Sequence, residues 1–176
     1  MILIGELSLW VALLMAAWAT TAGFAGAFTE RQELIASARR ALYAMCGFVI
    51  LSAAGLWTAL LTSDFSFRFV ASETSRNLPS IYKFTAFWGG QDGSLLFWAL
   101  ILSCYTAIAV RTGRKSNREL MPFVVPTLSA IALFFLLTIC FGANPFSRLD
   151  FIPLDGRGLN PQLQNPGMAL HPPNLY

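Results

Sequence analysis

The residues best suited to chemistry lie near the end of the chain. The stretch from Asn160-Pro161 through Gln164 to His171-Pro172-Pro173 carries the only histidine in the sequence. Its density of Pro and Gly excludes a regular helix. Pro172 biases His171 toward extended backbone, and Pro173 does the same to Pro172. The imidazole therefore sits on a stiff, polyproline-like strut. Such a strut suits a ligand offered to something large and flat, and it equally suits a plain turn.

A second stretch, Tyr82 to Trp98, crowds aromatics around glycine: Phe84, Phe87, Trp88, Gly89, Gly90, Gln91, Asp92, Gly93, Ser94, Phe97 and Trp98. Gly89, Gly90 and Gly93 permit a tight entry into a following helix, and Asp92 or Ser94 can cap it. Trp88 and Trp98 suit a membrane–water interface. One reading is an interface anchor with a helix cap. The other is a platform on which a flat apolar ligand stacks.

The rest of the chain offers little chemistry of its own. Cys46, Cys104 and Cys140 fall in or beside apolar segments without CxxC spacing, which argues for small buried hydrophobes and against a metal or disulfide framework. The formal charge of +3 does not indicate nucleic acid, because the basic residues cluster in two short connections. Arg148 and Arg157 are read as solvated, with bidentate pairing to an anionic group as the alternative.

Four apolar segments must position these stretches: roughly 7–28, 41–61, 93–110 and 121–141. Each reaches about 30 Å as a helix, the thickness of the hydrocarbon layer. With 56% hydrophobic and 12% charged residues, the composition excludes an ordinary soluble domain. The first span is expected to be retained, since residues 1–6 contain an acid and no Lys or Arg. The expected fold class is thus an all-α integral membrane protein with four transmembrane helices. Connection 29–40 carries Arg31, Arg39 and Arg40, and connection 111–120 carries Arg111, Arg114, Lys115 and Arg118. This basic density assigns both to the cytoplasm. Both termini, loop 62–92 and tail 142–176 are then expected on the outer side, giving a membrane domain over 1–141 followed by an outer tail. No ionisable residue marks an ion path inside the spans, which argues against a self-contained transporter.

The chain resembles the amino-terminal part of the CcmF family, the large haem lyase subunit of cytochrome c maturation, some members of which serve nitrite reductase assembly. The resemblance rests on Gly5-Glu6-Leu7-Ser8-Leu9, on Tyr82 to Trp98, and on Asp155-Gly156-Arg157-Gly158-Leu159-Asn160-Pro161 through His171-Pro172-Pro173-Asn174-Leu175-Tyr176. It implies a many-span protein of the bacterial inner membrane with periplasmic functional loops. It also implies partners: a haem carrier protein, apocytochrome c, other maturation subunits and the rest of the haem lyase. The cofactor is b-type haem held in transit while the thiols of a CxxCH motif add to its vinyl groups. In the family two outer histidines flank a tryptophan-rich motif and bind the iron axially. His171 matches the first of these, so its only metal contact is through haem iron, a role imidazole commonly fills. Trp88 and Trp98 become candidate haem-adjacent aromatics.

Two departures qualify this. Some relatives carry a histidine–acid pair where this chain has Gln91-Asp92, so no haem ligation is assigned there. Relatives also continue past the position of Tyr176 into a fifth span, the tryptophan-rich motif and the second histidine. A fragment or a split subunit is therefore expected. With one histidine the chain does not make bis-imidazole ligation alone, and activity in isolation is not expected. No catalytic acid or base is assigned. The competing reading is a non-catalytic membrane scaffold or small permease subunit that binds no haem.

Overall fold

A computed structural model describes residues 2–116 and 119–169, excluding the side chains of 114–116. Helix α1 runs over Ile2–Thr29, α2 over Gln32–Thr62, α3 over Arg68–Glu73, α4 over Ser80–Thr85, α5 over Gln91–Ser116 and α6 over Met121–Phe141. Short 3₁₀ turns occupy Ala86–Trp88 and Pro161–Leu163. Among the described residues β pairing is limited to an isolated antiparallel bridge between Phe67 and Arg148. Four segments are long and apolar enough to cross a membrane: Ile2–Thr29, Gln32–Thr62, Gln91–Gly113 and Met121–Phe141.

The four expected spans are all helical, but the connections between them are shorter than the sequence suggested. Of 29–40, only Glu30 and Arg31 leave the helices, and α5 continues to Ser116. The physical reason is that residues 32–40 are mostly good helix formers, so α2 starts ahead of its apolar window. The α1–α2 corner is made by Glu30 at φ 55° and an Arg31 amide that donates to the Gly26 carbonyl at 3.1 Å.

The long helices pack in a closed ring, α1 on α2, α2 on α5, α5 on α6 and α6 on α1. Small residues set the spacing. A methyl on Gly5 would lie 2.9 Å from the Gly55 Cα, and one on Gly23 would lie 2.8 Å from the Pro126 ring. Backbones can approach this closely only where a side chain is missing. Pro122 falls at the opening of α6, where its absent N–H costs nothing; Pro126 lies inside the helix and nests at Gly23.

At the end where α1 and α5 begin, residues 63–90 build a cap whose buried side chains continue the core of the bundle. Phe65, Phe67, Phe69, Val70, Leu78 and Phe87 are buried there, joined by Phe146 and Leu159 from the tail. Backbone hydrogen bonds lay the tail along the cap: Arg68 to Ser147 at 2.8 Å, Leu149 to Ser66 at 2.9 Å, Arg157 to Ala71 at 2.8 Å and Gly158 to Thr74 at 3.1 Å.

Candidate aromatic groove

A short turn joins the cap to α5. The turn Ala86–Trp88 delivers Trp88 to the head of α5, and Gly89-Gly90 leads into the helix at Gln91. Ser94 locks this junction. Its amide donates to the Gly90 carbonyl at 3.0 Å, and its hydroxyl donates to the Trp88 carbonyl at 3.1 Å. Gly93 is required sterically, because any Cβ there would collide with the Phe87 carbonyl and the Phe69 ring.

Aromatic packing fixes Trp88 from the cap side. Trp57 stacks on Phe84 at 5.0 Å and on Phe87 at 4.3 Å, and donates its indole N–H to the Phe84 carbonyl at 3.2 Å. Trp88 meets Phe84 edge-on at 5.8 Å and Phe97 at 5.2 Å. The buried Trp88 indole then donates to the Ala169 carbonyl at 2.8 Å. About two turns down α5, Trp98 stacks on Phe135 of α6 at 6.1 Å and 15°.

Between these tryptophans lies a groove of about 580 Å³. Trp88, Gly89, Gly90, Gln91, Ser94, Leu95 and Trp98 form one side; Phe135 and Leu163 complete it. The volume falls within the range of about 300–1,000 Å³ usual for small-molecule and cofactor sites. Among the described residues no charged side chain lines it, and its walls are mostly apolar.

Six of the residues singled out in the Tyr82–Trp98 stretch thus share one cavity. Asp92 and Gly93 do not belong to it. Asp92 lies in the first turn of α5 rather than at its cap, where a negative charge suits the helix dipole, and its carboxylate lies 3.6 Å from Arg68. In the tail, Asn160 accepts from the Gln162 amide at 3.0 Å and Gln164 donates to the Leu159 carbonyl at 2.8 Å. With Pro161 they shape the turn that brings Leu163 to the groove. His171, Pro172 and Pro173 lie outside the described residues; Ala169, held by Trp88, is two positions before His171 in sequence.

Phe135 and Leu163 carried no signal in the sequence. Phe135 was one of several phenylalanines in an apolar run. Glu73 was also missed. Its carboxyl sits behind Gly89-Gly90, where a Cβ on Gly90 would lie 2.9 Å from Oε1. Burial raises the Glu73 carboxyl above its ordinary range and the nearby Asp92 charge adds to this, while a hydrogen bond from Ser72 opposes it. Asp155 shifts the other way: the amides of Arg76 and Gly156 donate to its carboxylate and lower its pKa, with help from the Arg76 and Lys83 charges.

The architecture is that of a four-helix membrane bundle with an aromatic groove at one end. Residues 88–176, beginning at the groove tryptophan, match the model of the family described as cytochrome C assembly protein. The cytochrome c-type biogenesis protein ccl1 of Rhodobacter capsulatus is 37% identical over 172 residues, covering 98% of this chain and 26% of that protein. The cytochrome c-type biogenesis protein CcmF of Pseudomonas aeruginosa is 37% identical over 174 residues, with the same coverage of 98% and 26%. The chain therefore spans about a quarter of the length of these relatives. A solved structure of cytochrome c haem lyase CcmF shares the fold at a TM-score of 0.78, with 24% identity over 97% of this chain and 26% of that one. The chain belongs to the cytochrome c assembly protein family, in its CcmF group.

Proposed function

We propose that this chain forms part of a cytochrome c haem lyase and holds haem, as substrate in transit, on the outer face of the bacterial inner membrane. One observation carries the reading: the groove wall Trp88 also anchors the backbone two residues before His171, so the stacking surface and the histidine segment are tied together. His171 is the proposed axial ligand of the iron. Trp88 and Trp98 would face the macrocycle. The groove suits the apolar ring and, among the described residues, offers no cationic side chain to its carboxylates. Covalent attachment occurs when apocytochrome CxxCH thiols add to the haem vinyl groups. The work of this chain in that reaction is positioning. The haem carrier, the apocytochrome, other maturation subunits and the remainder of the lyase are the proposed partners.

The proposed orientation puts both termini, the cap and the tail on the periplasmic side. It is supported by the basic residues of the opposite end, Arg31, Arg39, Arg40 and Arg111, whereas Arg68 and Arg148 at the groove end lie beside Asp92 and Glu6.

The test is made in the complete maturation system, by haem staining of mature cytochrome c and by the haem absorbance of the purified lyase. His171→Ala is expected to lower both by about tenfold or more, as loss of a metal-site group commonly does, with membrane insertion unchanged. Trp88→Phe keeps the ring and loses the hydrogen bond to Ala169; it is expected to reduce maturation by about threefold to tenfold. Full maturation with His171→Ala would instead support a non-catalytic scaffold.

A further inference from the structure

A second cleft, of about 460 Å³, shares no lining residue with the aromatic groove. Arg68, Arg157 and Ser72 supply its polar edge, and Leu149, Phe151 and Pro153 its apolar wall. Asp155 also borders it, but one of its oxygens already accepts from the amides of Arg76 and Gly156, each at 2.8 Å. Beside the cleft, Phe151, Ile152 and Leu154 are 71%, 69% and 90% exposed. This apolar strip is rooted on both sides. Leu149 donates to Ser66 at 2.9 Å before it, and the Arg76 guanidinium donates to the carbonyl of Leu154 at its end at 2.9 Å.

The position of the cleft relative to the spans identifies what it meets. Arg68 lies 3.6 Å from Asp92 in the first turn of α5, and Arg148 lies 3.6 Å from Glu6 in the second turn of α1. Both arginines therefore mark the level at which apolar spanning helices begin. Apolar side chains beside cations at that level match the boundary between acyl chains and headgroups. We propose that this cleft binds an anionic phospholipid, with its phosphate between Arg68 and Arg157 and its acyl chains along Leu149, Phe151 and Pro153. The strip Phe151-Ile152-Leu154 dips into the same leaflet and fixes the height of the cap above the bilayer.

The test uses the chain within its purified lyase complex. Native mass spectrometry compares retention of phosphatidylglycerol and phosphatidylcholine with identical acyl chains. Phosphatidylglycerol is expected to be retained about 25-fold more, each arginine contributing about a factor of five. Arg68→Ala combined with Arg157→Ala should bring the ratio close to one, and excess inorganic phosphate should not displace the lipid. Equal retention by the wild type, an unchanged ratio in the double variant, or displacement by phosphate alone would overturn the proposal. In nanodiscs containing phosphatidylglycerol, a nitroxide on Ile152→Cys should collide with oxygen in preference to a water-soluble nickel chelate. Preference for the chelate, or shielding that requires the other maturation subunits, would overturn it in favour of a solvated loop or a protein partner.

Discussion

Glu73 shows how one side chain couples the cap to the groove. Its carboxyl lies against Gly90, at the back of the turn whose front lines the cavity. Burial raises its pKa above the ordinary 4.5, so the folded state favours the protonated form. The sign follows from linkage: its contribution to stability is full below the ordinary value and is lost as pH rises through the raised one. Glu73→Gln is therefore expected to melt above the wild type at neutral pH, with the difference closing as pH falls below 4.5. A thermal-unfolding series against pH checks this; a difference independent of pH would exclude the ionisation as its cause. Residue types marked Trp88, Gly89, Gly90, Ser94 and Trp98, because aromatics crowded around glycine are unusual, and Gln91 was marked only by its departure from the family pattern. Nothing marked Glu73, since only the fold of the cap brings residue 73 against residue 90.

Helices were the most legible elements. Four uninterrupted apolar windows left few alternatives, and all four are helical. Their ends were less legible, because helix propensity outlasts hydrophobicity at residues 32–40. The glycines within these helices make contrasting predictions. Gly5 meets Gly55 and Phe146, so Gly5→Val is expected to cost about 1–3 kcal/mol by overpacking. Gly47 has nothing within 4 Å of its would-be Cβ, so Gly47→Ala is expected to stabilise α2 by up to about 1 kcal/mol. Thermal unfolding of the two variants side by side checks both signs. The cap helices were not legible. α3 and α4 have six residues each, too few to show a helical period, and packing of Phe69, Val70 and Thr85 holds them in place.

At the scale of the molecule, the four spans bring the α1 amino terminus, the cap and the tail to one end of the bundle. The proposed orientation predicts that alkaline phosphatase, which folds only outside the cytoplasm, is active when fused after Asn77 and inactive when fused after Arg31. The reverse pattern would invert the assignment. Sequence made the number of spans plain but not the return of the tail, which depends on backbone bonds such as Arg157 to Ala71 and has no hydrophobic period to betray it. That return has a consequence for biosynthesis. The α1–α2 hairpin can pack as soon as both helices have been made, but the groove waits for residues 163 and 169, which supply one wall and the acceptor for Trp88. A nascent chain halted after α6 would thus display its tryptophans without a finished cavity, and under the proposed function the order of synthesis would keep a reactive porphyrin off an incomplete assembly.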